Sequence, residues 1–497
     1  MIRDRRILLQ GALFFIAIVL YVFALQGVRG LYSSDEGRYT DVALQMLSSG
    51  DWLHPKLAPD VSHWSKPPLI YWVIAASLAV FGNHEFAARF PNSLAFLTTL
   101  ALIGRVGRRI TPRQPWRPTI IYGSMLLPLL ASNIVTTDTL LTLFATLQLY
   151  AGIELWINED DRGHEGFRAV LWMAAGMAFL TKGPPGLLPL CALILCALFN
   201  GGFRAASRFV SVFAFILFLV IGFSWYLTVI AEQPQLLKRL VQIEVINRVS
   251  TDSAHRNAQW FGAFKIYFPT LIFGTLPWIL PAIWKRAHSM PYKQTTIATS
   301  RETRVLWFLV LVPLIIFMIV RSRLPLYILP IFPPIACLIA VEISEVKWRS
   351  STFAMGALFE IVLALASLYF STAGFAVSDD RRLATTVERI VPFLPAEIGF
   401  IQTEPRYGLR FYFGSVVRSY SLSGFEPDPE SAQLSTTKPI DSCRIWLVKP
   451  WNLETARREL ASINMATQTL GNAADYSVLA DLSNACGSKQ QDTRTLP

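Results

Sequence analysis

Residues 208–231 read RFVSVFAFILFLVIGFSWYLTVIA. Past Arg208 the run carries no charged side chain. It is long enough to cross a bilayer as one helix, which takes roughly 20 apolar residues. Similar runs lie on either side, at 7–26, 86–104, 118–136, 139–157, 169–181, 186–200, 267–284, 305–320, 325–342 and 352–373. The whole chain of 497 residues is 53% hydrophobic and only 16% charged. Soluble domains carry about 25% charged residues, so this composition reads as an integral membrane protein.

The formal charge of +11 does not indicate nucleic acid. The basic residues sit in short loops between apolar runs, the positive-inside pattern of membrane proteins. Arg3, Arg5 and Arg6 precede the first run, and no small-residue cleavage site follows. That run is read as a retained helix with its basic end in the cytoplasm. Alternating sides from there puts Arg105, Arg108, Arg109, Arg113, Arg117, Arg204, Arg208, Arg301 and Arg304 inside. The bias holds for about eleven spans. The short run from Lys66-Pro67-Pro68 to Phe81 is read as re-entrant or interfacial, because counting it as a span would invert every later loop.

The expected architecture is a polytopic α-helical membrane protein of about eleven to thirteen helices. Residues 1–373 form the membrane domain, and its outer loop at 27–66 carries amphipathic helices. Tyr39, Val42, Ala43, Met46 and Leu47 make the stripe of one such helix, expected on the membrane surface. Residues 374–497 are polar and read as a small α/β domain outside the inner membrane, with strand-like runs at 398–402, 410–413 and 444–448 and a helix-like run at 453–460. Cys191, Cys196 and Cys337 lie in apolar runs as packing residues. Cys443 and Cys486, in the exported tail, are a candidate disulfide.

Four groups could carry chemistry, and the topology puts all four on the outer side. In Ser34-Asp35-Glu36-Gly37-Arg38-Tyr39 the chemical reading makes Asp35 the catalytic carboxylate beside Glu36 and Arg38. The local reading makes Ser33 and Glu36 a capping box, with acids suited to the helix dipole. In Thr136-Thr137-Asp138-Thr139 a carboxylate at membrane depth marks a functional site, or caps the next helix. Lys66, Lys182, Arg321 and Arg323 are cations against the positive-inside bias, so they suit phosphate binding, or else snorkel to the interface. The loop at 232–265 holds Arg248, His255 and Arg256. Acids and cations at one membrane face suit sugar transfer from a lipid phosphate. Cations stabilise the anionic leaving group, and a carboxylate serves as base when the acceptor is a hydroxyl.

Five stretches then resemble the GT-C membrane glycosyltransferases, specifically the group holding the lipid A aminoarabinose transferase and the protein O-mannosyltransferases. They are Asp35-Glu36-Gly37-Arg38-Tyr39, Lys66-Pro67-Pro68-Leu69 with Tyr71-Trp72, Thr137-Asp138-Thr139-Leu140-Leu141, Phe179-Leu180-Thr181-Lys182-Gly183-Pro184, and Arg323-Leu324-Pro325 with Tyr327 and Leu329-Pro330. The order is that of the family. The resemblance implies inverting transfer from a polyprenyl (undecaprenyl) phosphate sugar donor to an envelope acceptor, lipid A or another glycan, at the periplasmic face. It implies Asp35 as the catalytic acid and Asp138 as a second functional acid. It places Lys66, Arg248, Arg323 and Tyr327 at phosphate or substrate contacts. Relatives carry a Glu ahead of Lys-Pro-Pro that binds zinc with a later His. Here Ser65 stands in that place, and His255 matches the His. A zinc site without its carboxylate is incomplete, so no metal cofactor is expected.

Two other readings remain. One keeps the chemistry but transfers the sugar to Ser or Thr of exported proteins. The other is a lipid or sugar transporter, which would place polar residues at the midplane and show repeat symmetry.

Overall fold

The computed structural model describes residues 2–32, 35–157, 164–247, 257–288, 301–343, 359, 362–363, 365–366, 379–425, 430–436 and 443–481. The chain divides into two compact units. One comprises Met1–Gln26, Ser65–Ile70 and Arg89–Leu368; the other comprises Gly27–Trp64, Tyr71–Ala88 and Tyr369–Pro497.

The first unit is helical. Among the described residues six helices of the chain are long and apolar enough to cross a membrane: Glu85–Ile110, Thr137–Ile157, Pro184–Phe209, Val212–Glu232, Arg301–Ile319 and Pro325–Glu342. Phe15–Ala24 and Leu69–Phe81 are shorter apolar helices. Helix His164–Lys182 packs between Thr137–Ile157 and Val212–Glu232. Large side chains such as Phe96, Tyr122, Trp156, Phe209 and Phe332 fill the interior.

Two expected spans are broken, and proline explains both breaks. The run 118–136 forms helices Arg117–Gly123 and Leu126–Ala131, with Met125 extended between them. Pro128 lacks an N–H, and its ring would strike the carbonyl of Ser124 in a continuous helix. The run 267–284 divides into Gly262–Gly274 and Ile279–His288 around Pro277. Most of the run 352–373 lies outside the described residues.

The second unit holds helix Asp35–Ser49 and the tail. The tail sheet has six strands, in spatial order Ser431–Gln433, Val416–Ser421, Glu397–Ile401, Arg444–Val448, Tyr476–Asp481 and Thr467–Ala473. The first four run parallel and the last two pair antiparallel. The two central strands are buried along their whole length, as parallel strands covered on both faces must be. Both match expected strands, and helix Leu453–Ser462 matches the expected helix. The run 410–413 does not form a strand. It lies in a short helix, Leu409–Phe413, that ends on Gly414 in the left-handed region, a common helix stop.

The stripe on helix Asp35–Ser49 is also placed differently from expectation. Tyr39, Val42, Ala43 and Met46 are buried inside this unit instead of facing lipid. The reason is the polar company: Asp41 and Gln45 are buried beside them. Arg410 of the tail pairs with Asp41 at 3.3 Å and donates to Ser48 Oγ at 3.3 Å.

Candidate active site

In the helical unit, Asp138 starts the long helix Thr137–Ile157. Thr136 caps that helix by accepting from the Asp138 backbone N–H at 3.2 Å. The Asp138 carboxylate is therefore not consumed by capping. It accepts from Thr136 Oγ1 at 3.1 Å and from Lys182 Nζ. Lys182 is the last residue of helix His164–Lys182. Gly183 follows at φ +74°, a conformation costly for other residues, and Pro184 then opens a new turn. The reversal leaves Lys182 at the helix end. Its Nζ also lies 4.2 Å from the centroid of the Tyr327 ring, a cation–π distance. Both members of the ion pair are more than nine-tenths buried.

Asn92 fixes the loop leading into Asp138, donating to the Ile134 and Thr136 carbonyls at 2.6 and 2.9 Å. Arg323 is buried and donates to the carbonyls of Asn257, Gln259 and Met318 at 2.8 to 3.1 Å. Its Nε has no hydrogen-bond partner among the described residues. Tyr267, missed by the sequence reading, belongs to the same cluster. Its hydroxyl feels the charges of Tyr327, Arg323 and Asp138, and it is buried without a hydrogen-bond partner among the described residues. A tyrosine near the end of an apolar run is common, and that masked the signal. An apolar crevice lined by Leu141, Pro185, Leu188, Pro330 and Pro334 begins one turn from Asp138.

The structure thus brings Asp138, Lys182, Arg323 and Tyr327 together. Lys66 is half-buried in the same unit, and Arg321 is exposed. Arg248 and His255 lie outside the described residues, as do Ser33 of the capping box and Cys486. Cys443 is disulfide-bonded. Among the described residues no three His, Cys, Asp or Glu side chains form a group able to hold a metal ion.

In the second unit the Asp35–Glu36 pair divides. Glu36 is buried and takes Arg29 in a two-point pair at 2.5 and 3.2 Å, and it accepts the Tyr32 backbone N–H at 2.8 Å. It anchors the approach to the helix. Asp35 is about half exposed and accepts from Arg38 of its own helix. Arg38 Nε is buried without a hydrogen-bond partner among the described residues. Gly37, between them, presses on the tail: a Cβ there would lie 2.5 Å from the Gly408 backbone nitrogen.

The family model for dolichyl-phosphate-mannose-protein mannosyltransferase matches residues 65–227. Undecaprenyl phosphate-alpha-4-amino-4-deoxy-L-arabinose arabinosyl transferase 2 of Pseudomonas fluorescens (strain Pf0-1) is 30% identical over 343 residues, 66% of this chain and 58% of the relative. The arabinosyl transferase of Edwardsiella ictaluri (strain 93-146) is 30% identical over 336 residues, 65% of this chain and 57% of its own length. The chain therefore spans under two thirds of these relatives. The crystal structure of ArnT from Cupriavidus metallidurans bound to undecaprenyl phosphate superposes with a TM-score of 0.75 at 19% identity, over 96% of this chain and 99% of that one. The chain shares that fold. The chain is a multi-pass membrane protein, and it is similar to the aminoarabinose transferases.

Proposed function

We propose that this GT-C chain transfers a sugar from an undecaprenyl-phosphate donor to lipid A at the periplasmic face of the inner membrane, by an inverting mechanism. The observation that carries the reading is the convergence of Asp138, Lys182, Arg323 and Tyr327 where helices of the membrane unit end. Lys182 and Arg323 supply positive charge for the departing lipid phosphate, which is how a site lowers the barrier for an anionic leaving group. Tyr327 holds the ammonium from its ring face, and Asp138 fixes it in place. Lys66, Arg248, Arg321 and His255 complete the substrate contacts in this reading.

Asp35 is the proposed catalytic acid. An acceptor phosphate on lipid A is already ionised, so Asp35 would orient it or stabilise positive charge on the sugar. Glu36 positions the Asp35 helix. The cytoplasmic N-terminus and the periplasmic 374–497 domain belong to the same proposal, as does transfer without a resident metal, given Ser65 where relatives carry Glu. Relatives named as undecaprenyl phosphate-aminoarabinose transferases support the choice of donor.

The test is transfer of labelled sugar from undecaprenyl phosphate to lipid A by purified protein, with and without EDTA. Asp35→Asn should remain folded in the membrane and lose transfer. Full activity of that variant would remove Asp35 from the mechanism. The match to the mannosyltransferase family favours a second reading, transfer to Ser or Thr of exported proteins. Mass spectrometry of envelope lipids and secreted proteins from a deletion strain separates the two.

A further inference from the structure

The helical unit has a second charged site, at the other end of helix Thr137–Ile157 from Asp138. Trp156 lies 18 residues beyond Asp138, about 27 Å along a helix that rises 1.5 Å per residue. That is close to the roughly 30 Å thickness of the bilayer hydrocarbon. At this end a cavity of about 220 Å³ is lined by Trp156, Asn200, Arg204, Arg208, Arg301 and Arg304, with Gly201 and Ala205. Four arginines face one small space, and no carboxylate is among its described lining residues.

Basic residues are expected in loops on the cytoplasmic side, where they usually splay toward water and headgroups. These four converge instead. The chain kinks at Gly202, between Asn200 and Arg204, and a short turn at Ser207–Phe209 brings Arg208 to the same space. Arg301 stacks its guanidinium 4.7 Å from the Trp156 ring centroid, and the Trp156 indole N–H donates to the Arg301 carbonyl at 3.0 Å. Arg304 donates to Asn200 Oδ1 at 2.7 Å. Arg208 Nη1 is buried with no hydrogen-bond partner among the described residues. Two acids of the same region are taken elsewhere: Glu154 holds Arg109 at two points, and Glu165 holds Arg168 and Ser211.

Like charges a few ångströms apart repel strongly outside bulk water. A counter-anion relieves that repulsion, and the planar fork of arginine matches phosphate oxygens in pairs. Beside the cavity, Phe199 and Phe203 of the same helix are 78% and 88% exposed. They give acyl chains an apolar surface next to the cations.

We propose that this cavity binds the phosphate headgroup of an anionic phospholipid from the leaflet opposite the Asp138 cluster. The proposal does not depend on the transfer reaction. Inorganic phosphate shares the headgroup chemistry but has no use for Phe199 and Phe203, so the two sources can be told apart.

The test uses the full chain in detergent with fluorescent phosphatidylglycerol, competed by unlabelled phosphatidylglycerol, phosphatidylcholine or inorganic phosphate. Unlabelled phosphatidylglycerol should compete, and the other two should not. Arg204→Gln/Arg208→Gln should weaken binding at least tenfold while the elution profile and melting temperature match the wild type. Arg105→Gln/Arg113→Gln, basic residues that do not line the cavity, should bind as the wild type does. Equal competition by phosphatidylcholine, unchanged binding in Arg204→Gln/Arg208→Gln, or equal loss in the Arg105/Arg113 variant each overturns the site. Competition by inorganic phosphate at matching concentration overturns the lipid as its occupant.

Discussion

Gly37 and Gly408 meet backbone to backbone, so closely that a methyl group on Gly408 would lie 2.1 Å from Asp380 Oδ2 and one on Gly37 would lie 2.5 Å from the Gly408 nitrogen. A motif glycine of helix Asp35–Ser49 is thus a packing residue against the tail. Gly37→Ala should destabilise the second unit by about 1–3 kcal/mol, the usual cost of overpacking a tight contact. Thermal unfolding of the purified chain reads the loss. An unchanged melting temperature would mean that the contact relaxes freely.

Lys182 and Asp138 form a buried pair, so each alone leaves an uncompensated charge. Lys182→Met and Asp138→Asn should each cost about 3–5 kcal/mol. The double variant should recover much of that stability, yet transfer should stay lost if Lys182 serves the leaving phosphate. Recovery of transfer in the double variant would reduce the pair to scaffold.

Tyr267 offers the cleanest separation of stability from activity. Its hydroxyl is buried and bonds to nothing among the described residues, so Tyr267→Phe should leave stability unchanged or slightly improved. Transfer should fall at least tenfold if that hydroxyl meets substrate. Wild-type rates in Tyr267→Phe would exclude it from the site.

Burial pushes the Asp380 carboxyl up to about 7, partly offset by Arg406. Burial likewise raises Asp41 well above its ordinary value, with Arg410 opposing. A carboxyl whose folded pKa is raised holds its proton more tightly when folded. Its contribution is therefore full below the unfolded value of about 4 and is lost as pH rises toward 7. The melting temperature of the wild type should fall across that window. Asp380→Asn should show a shallower slope; matching slopes would count against the protonated form.

The membrane architecture was legible in the sequence because run length and loop charge are local quantities. Breaks at Pro128 and Pro277 were signalled by residues present in the runs, but run length outweighed them. The chemistry was legible in part. Asp138 carried two readings that spacing could not separate, since Thr136 and Asp138 are both good caps; the structure gives capping to Thr136. Glu36 read as half of a capping box with Ser33, which lies outside the described residues; the structure adds Arg29 and the Tyr32 backbone N–H as its partners. The buried stripe of helix Asp35–Ser49 could not be assigned from its own residues. Two of the helix's partners, Arg410 against Asp41 and Gly408 against Gly37, come from more than 350 positions later, and long-range pairing leaves no periodic trace.

That separation bears on how the protein is made. The second unit joins Gly27–Trp64 and Tyr71–Ala88 to Tyr369–Pro497, with Arg89–Leu368 synthesised between them. At roughly 5–20 residues per second, the helix bearing Asp35 waits on the order of 15–60 s for its partner segment. Until then the helix lacks its contacts with Gly408 and Arg410, which makes it a natural client for holding chaperones. A nascent chain stalled before residue 369 would hold every described membrane helix but leave the Asp35 helix without its Gly408 and Arg410 partners.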